Sequence, residues 1–381
     1  MTPRPFHSRA RRIAPSLFAP LLLLACGEPA VEGPPPVPEE AMAAVVAEPG
    51  VDREDLARAV DVLFTDEAVG ETRALLVLHD GEIVAERYAE GYDADMPLIG
   101  WSMGKTVTGL LVGAMIAEGR LELDQPAPVA LWRRSGDPRA AITLRQLLQM
   151  RSGLWNEENT EPLYAASEVR MLFLDGREDM AGWAEAQQQR DPPGERFAYS
   201  TATSVILADI ITDSLEPEGS ANERQAAMEE FLHSRLAEPL GATSLRGEYD
   251  RQGTLVGGSF IFATARDWAK VGELLRNNGE AGGVQVVPRR WVQFMRTSSP
   301  ASPDYGAQLW LNRNAEEADR DGFFGGRIST DIFGLRGHLG QYVHVSPAQG
   351  LTVVRLGKSE GDEGRAAEGR IAELMALYPL R

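Results

Sequence analysis

The sequence predicts an α/β fold: one sheet built from both ends of the chain, beside a mostly helical insert. Three observations carry this. Near the start, the β-rich run Thr72–His79 meets an Asp80-Gly81 hairpin turn and is answered by Glu82–Tyr88. Near the end, Gln341–Ser346 and Leu351–Leu356 read as two strands around a turn at Pro347–Gly350. Between them, residues 120–250 show helical spacing and long loops.

The elements follow in order. Val51–Glu67 places Leu56, Val60, Leu63 and Phe64 at helical spacing. Ser102–Gly119 reads as a helix with Leu110, Leu111, Met115 and Ile116 apolar and Gly119 as its C-cap. Asp93–Gly100, just before it, is a poor strand. Thr201–Leu215 is an apolar helix. After Gly257-Gly258 the pattern returns to strand and helix, with an amphipathic helix over Ala265–Asn278 and a closing helix over Ile371–Leu377. The chain has 381 residues, of which 43% are hydrophobic and 25% charged, which excludes wholesale disorder. A net charge of −18 is wrong for a nucleic-acid partner, which demands concentrated positive charge.

The first 25 residues read as a leader outside the fold. Arg4, Arg9, Arg11 and Arg12 precede an apolar run from Ile13 to Ala25 that is interrupted by Pro15 and Pro20. It is shorter than the ~20 residues of a spanning helix. The run ends Leu23-Leu24-Ala25-Cys26-Gly27, which looks like a bacterial lipobox with Cys26 as the lipid attachment site. Cys26 is the single cysteine, so an internal disulfide and a thiolate metal cluster are both excluded. Residues 26–50, Pro-rich and acidic, read as an extended tether, and 51–381 as the folded domain. The expected location is a periplasmic lipoprotein on the outer membrane, with the membrane as a partner through the anchor only.

The chemistry centres on Gly100-Trp101-Ser102-Met103-Gly104-Lys105-Thr106. Two motifs claim Ser102 as a nucleophile. Ser-x-x-Lys puts the Lys105 amine on the same helical face as the hydroxyl, and a buried lysine can take a serine proton because desolvation favours its neutral form. The chain has three lysines, Lys105, Lys270 and Lys358, and otherwise writes its cations as arginine. Lysine kept here points to an amine that must deprotonate, which guanidinium cannot do. The Gly-x-Ser-x-Gly elbow would instead call on a later histidine, His338 or His344, but it requires a preceding strand and an earlier glycine-rich loop.

On these residues the sequence resembles the serine β-lactamase and penicillin-binding-protein superfamily, and within it the class C β-lactamase-related hydrolases, which include esterases and 6-aminohexanoate-oligomer hydrolases. The resemblance covers roughly residues 55–375. It rests on Trp101–Thr106, Ile142–Leu154, Pro192–Thr201 with Tyr199 in the tyrosine place, Gly257–Asp267, and His338-Leu339-Gly340 in the Lys-Thr-Gly position of the strand lining the site. It implies a β-lactamase/transpeptidase-like antiparallel sheet flanked by helices, with a helical insert over about 105–250. It also implies an acyl-enzyme on Ser102, with Lys105 and Tyr199 sharing its proton and the tyrosine held toward phenolate by the nearby cation. The backbone N–H groups of Ser102 and Gln341 would form the oxyanion hole, with His338, Gly340 and Thr201 meeting substrate.

Two departures shape the expected substrate. Thr201 stands where β-lactamases of this class carry Asn, and the strand motif lacks the Lys that pairs with a β-lactam carboxylate, a role left to protonated His338. Both favour a small ester or amide over an antibiotic. The segment Arg313–Phe333 reads either as an overhang that selects the acyl group or as a solvated loop. No cofactor and no metal are expected, since no His-Glu-x-x-His spacing occurs. The alternatives are a β-lactamase or D-alanyl-D-alanine carboxypeptidase, and a non-catalytic penicillin-recognition or scaffold protein.

Overall fold

A computed structural model describes residues 35–158, 160–313 and 328–381. The leader and Cys26 lie outside the described residues, as does most of the Arg313–Phe333 segment. From Val37 onward the chain forms one compact unit.

Its strands are β1 (Glu71–His79), β2 (Glu82–Tyr88), β3 (Leu98–Ile99), β4 (Arg246–Gly247), β5 (Ile261–Ala263), β6 (Glu280–Ala281), β7 (Val284–Gln285), β8 (Trp310–Leu311), β9 (Phe333–Gly337), β10 (Gln341–Ser346) and β11 (Leu351–Lys358). Six of them make an antiparallel sheet in the order β2-β1-β11-β10-β9-β8. Its centre joins the two chain ends: Glu71 pairs with Lys358 and His79 with Leu351. The run Leu75-Leu76-Val77-Leu78 is apolar at every position because both faces of β1 are covered. Leu75 and Val77 face a layer made by α1 (Glu39–Ala43), α2 (Arg53–Thr65) and α12 (Asp362–Met375), where they meet Leu56, Val60, Ile371 and Leu374. Leu76 and Leu78 face the main core, shared with α3 (Gly104–Ala117) and α10 (Ala265–Arg276).

The insert contains α4 (Leu144–Leu148), α5 (Ser167–Phe173), α6 (Met180–Glu185), α7 (Thr201–Leu215), α8 (Ala221–Leu232) and α9 (Glu238–Leu240); α11 (Arg289–Met295) follows α10. The helix α7 is buried from Thr201 to Thr212 because other helices surround it, so its sequence is apolar all round rather than on one stripe. Ser200 sets its start by accepting a hydrogen bond from the Thr203 N–H at 3.1 Å. The helix α3 is buried just as fully, from Gly104 to Met115, and packs beside α7.

Three expectations are corrected. Residues 37–50 are not tether. Ala41 is fully buried, Val45 bridges to Ala85 beside β2, and Tyr378 Oη donates to the Pro49 carbonyl at 3.1 Å. The apolar stretch Ala41–Val46 covers an exposed sheet edge, which outweighs its proline-rich start. The closing helix starts at Asp362, nine residues earlier than its apolar pattern suggests, because an acidic first turn suits a helix N-terminus. Asp93–Gly100 contains the short strand β3, held by pairing with β5 through Leu98–Ala263 and Ile99–Phe262.

Candidate active site

Two buried helices and the end of one strand converge on Ser102. Ser102 lies in a single 3-10 turn, Trp101–Met103, that runs straight into α3. The preceding strand β3 is tied down where the Gly100 N–H donates to the Ile261 carbonyl at 2.8 Å. Trp101 has φ +48°, a left-handed conformation costly for a bulky side chain. Packing holds it there: its ring meets Phe260 at 5.9 Å and His338 edge-on at 5.6 Å. Ser102 itself is partly open to solvent.

One helical step further, Lys105 is 1% exposed. Its Nζ donates to Ser102 Oγ, Thr201 Oγ1 and the Gly258 carbonyl, each at 2.9 Å. Burial lowers its pKa to about 8, with the charges of Glu158 and Glu168 acting the other way. These contacts give the Gly257-Gly258 pair a purpose. The Gly257 carbonyl accepts from Thr108 Oγ1 at 2.9 Å, and the Gly258 carbonyl accepts from Lys105, so the backbone there serves as a ligand for α3.

Tyr199 comes in just before α7. Its ring packs against Trp310 at 5.2 Å and Tyr305 at 5.8 Å, and Lys105 Nζ stands 4.9 Å from its centroid. Its hydroxyl interacts with the Ser102 and Trp310 side chains. Asn156 Nδ2 fixes the backbone by donating to the Tyr199 carbonyl at 2.6 Å. The expectation of a phenolate is reversed: burial and the charge of Glu158 raise the Tyr199 pKa, so the hydroxyl keeps its proton.

The strand motif also moves. His338-Leu339-Gly340 is the turn between β9 and β10, not part of a strand. Leu339 (φ +60°) and Gly340 (φ +77°) are both left-handed, and a Cβ at Gly340 would lie 2.4 Å from Arg355 Nη1. Gly340 therefore meets Arg355, whose Nη1 donates to its carbonyl at 2.8 Å. Gln341 opens β10 with its amide engaged: Nε2 donates to the Gly357 carbonyl at 2.7 Å and Oε1 accepts from the Gly357 N–H at 3.0 Å. The residue pressed against the serine turn is Gly337, at the end of β9. A Cβ there would sit 2.1 Å from the Gly100 carbonyl and 2.9 Å from Gln341 Cβ. Gly337 thus stands between the serine turn and Gln341.

His338 is exposed, and desolvation of its packed ring lowers its pKa, so it is a neutral imidazole at pH 7. His344, the other histidine the elbow motif invoked, is fully buried on β10 and stacked on Tyr342. Thr201 is not open to a substrate amide: its hydroxyl receives the Lys105 hydrogen bond and is 3% exposed. Sequence reasoning missed Glu158, which accepts from the Thr201 N–H, and the Gly258 carbonyl. Neither belongs to a side-chain motif, although the Gly-Gly pair was a usable signal. Phe173 packs on Phe260 at 5.8 Å and extends the aromatic rim from Trp101 toward solvent. Among the described residues no group of three or more His, Cys, Asp or Glu side chains is placed to hold a metal.

Comparison with known proteins places the fold. Over 239 residues the chain is 29% identical to a 6-aminohexanoate-dimer hydrolase from Paenarthrobacter ureafaciens. The match covers 58% of this chain and 56% of that protein, so the chain spans little more than half the length of this curated relative. A Bacillus anthracis structure with the provisional name 6-aminohexanoate-dimer hydrolase shares the fold at a TM-score of 0.65 and 23% identity, covering 84% of this chain and 82% of its own. A family VIII carboxylesterase does so at a TM-score of 0.61 and 16% identity, covering 85% and 96%. Residues 66–377, which run from before β1 through the serine turn to the end of α12, match the family model described as Beta-lactamase, and the chain belongs to that family.

Proposed function

We propose that the chain is a serine hydrolase that cleaves a small ester or amide through an acyl-enzyme on Ser102. The observation that carries this reading is the 2.9 Å contact between a fully buried Lys105 amine and the Ser102 hydroxyl, with the lysine pKa brought down to about 8. When Lys105 is neutral, Thr201 Oγ1 and the Gly258 carbonyl take its two N–H groups. The remaining lone pair faces Ser102 and accepts its proton as Oγ attacks the carbonyl carbon. Tyr199, a phenol with its proton retained, gives that proton to the departing alkoxide or amine. Water then releases the acyl group by the reverse of these transfers.

The oxyanion that forms falls at the N-terminus of α3, where the Ser102 N–H and the helix dipole favour negative charge. Its second donor comes from the backbone where β9 ends at Gly337 and the turn begins at His338, in place of the expected Gln341 N–H, from which Gly337 separates the serine turn. The close fit of Gly337 against Gly100 supports this placement. Neutral His338, and Arg336 paired with Glu368 at 2.9 Å, offer little to a substrate carboxylate. The aromatic rim of Trp101, Phe260 and Phe173 suits an uncharged, partly apolar acyl group. The names of the relatives, a 6-aminohexanoate-dimer hydrolase and a carboxylesterase, fit amide and ester substrates.

The test is initial rates on a short-chain p-nitrophenyl ester and on nitrocefin, with Lys105→Ala as control. Ester turnover that is lost in the variant, with slow nitrocefin cleavage, is the expected result. Fast nitrocefin hydrolysis would instead make the protein a β-lactamase.

A further inference from the structure

We propose that Glu158 is a positioning residue for the Ser102–Lys105 pair, acting through the Thr201 hydroxyl, and that its charge sets the pH range in which Lys105 works. The inference rests on the serine-hydrolase reading and deepens it.

Glu158 lies in the irregular segment between α4 and α5, far in sequence from both partners. Its carboxylate accepts the Thr201 N–H, which brings it beside the Thr201 hydroxyl, a neighbour that favours its charged form. A hydroxyl has one proton to give. With that proton turned toward Glu158, Thr201 Oγ1 presents only lone pairs to Lys105 Nζ, 2.9 Å away. The chain of contacts therefore has a direction, with Glu158 accepting from Thr201 and Thr201 accepting from Lys105. Two consequences follow. The amine is held in one rotation, with Ser102 as its third partner. A negative charge also stands behind the lysine and opposes the effect of its burial.

Helix capping accounts for only part of this placement, through the free N–H of the first residue of α7. The N-cap role at α7 is already filled by the Ser200 side chain. Capping by itself does not call for a charge beside the hydroxyl that holds Lys105. The position at the head of a long helix does favour the ionised form of Glu158, while its burial pushes the pKa up. The other titratable groups facing this cluster are Glu168 of α5, Tyr199, Tyr305, Arg336 of β9 and His338 in the turn after it. Of these, Glu168 is the second anion acting on Lys105, so removal of Glu158 leaves a smaller opposing charge rather than none.

The experiment measures the rate at which a fluorophosphonate labels Ser102, by mass spectrometry, over about pH 5 to pH 10. In that reaction the Ser102 O–P bond forms, the P–F bond breaks, fluoride leaves and the serine proton passes to Lys105. No matched substrate is needed. For the unaltered protein the rate should rise with pH to a midpoint near the Lys105 value. Glu158→Gln keeps an acceptor and removes the charge, so the midpoint should fall by ~1 pH unit. Glu158→Asp should move it back toward the starting value. Thr201→Val cuts the link while leaving the Thr201 N–H in place, and should also lower the midpoint. An unchanged midpoint in Glu158→Gln, whatever its plateau rate, overturns the proposal. If that variant fails to melt cooperatively, an unchanged midpoint in Thr201→Val does the same. A folded wild-type protein that does not label Ser102 overturns the hydrolase reading itself, and this inference with it.

Discussion

Lys105 Nζ stands 2.9 Å from Ser102 Oγ across one turn of chain, and the lysine is almost wholly shielded from water. A buried ammonium loses hydration that a neutral amine does not need, so burial itself creates the base. The sign follows directly. The active form is the deprotonated one, so kcat/KM should fall about tenfold per pH unit below a midpoint near 8 and level off above it. Lys105→Arg retains a cation that cannot deprotonate, so it should lose roughly 10²–10⁴ in kcat/KM at every accessible pH. A Lys105→Arg protein with an ordinary rate and a flat pH profile would remove Lys105 from the mechanism.

Tyr199 should matter in proportion to how badly the leaving group needs a proton. Its raised pKa makes it a donor rather than a base. Tyr199→Phe keeps the ring that packs on Trp310 and Tyr305 and removes only the hydroxyl. The variant should be mildly affected with p-nitrophenolate, a stable anion, and lose about 10²-fold or more with an alkyl ester or an amide. Comparing kcat on the two substrate types checks this, and equal losses on both would contradict the donor role.

The legible parts of the site were those written in side chains at short spacing. Ser102 and Lys105 share a helical face, and Tyr199 stands just before the apolar helix read over Thr201–Leu215. The sheet was legible for a similar reason: apolar runs of strand length flank an Asp-Gly turn at one end and a Pro-to-Gly turn at the other. Glu158 was not legible, because its contact with Thr201 joins an aperiodic loop to a helix start 43 positions away. The Gly258 carbonyl is backbone and carries no residue signature. The placement of His338 failed on register. Gly-His-Leu-Gly contains two glycines, and only the folded hairpin reveals that Gly337 ends β9 while Leu339 takes a left-handed turn. Residues 37–50 were hidden by composition, since proline and glutamate mask the few apolar side chains that dock beside β2.

Gly337 tests whether the end of β9 fixes the oxyanion geometry. A methyl group there would collide with the Gly100 carbonyl, which is backbone and cannot rotate away. Gly337→Ala should therefore separate β9 from the serine turn by a fraction of an ångström or more. Misplacement on that scale costs up to ~10² in rate, so kcat should fall much more than Tm does. Kinetics and thermal melts on the same preparation give both numbers. A variant with wild-type kcat would mean that the second oxyanion donor lies elsewhere.

A final prediction concerns stability, at a cluster the proposed chemistry does not use. Glu185 of α6 sits beside Asp209 and Asp213 of α7, and Arg224 of α8 pairs with both aspartates, at 2.7 Å with Asp209. Burial, with the neighbouring aspartate charges, raises the pKa of Glu185 to about 8 and that of Asp209 to about 6. A carboxyl group with a raised folded-state pKa favours the fold while it is protonated. Its contribution is complete below its unfolded value and is lost as pH rises through the folded one. The chain should thus lose stability from this cluster between about pH 4.5 and pH 8. Glu185→Gln holds a neutral amide in the same space and should raise Tm at pH 8 while changing it little at pH 4.5. Melting curves of both proteins at the two pH values decide it, and a Tm difference independent of pH would show that Glu185 carries no strained charge.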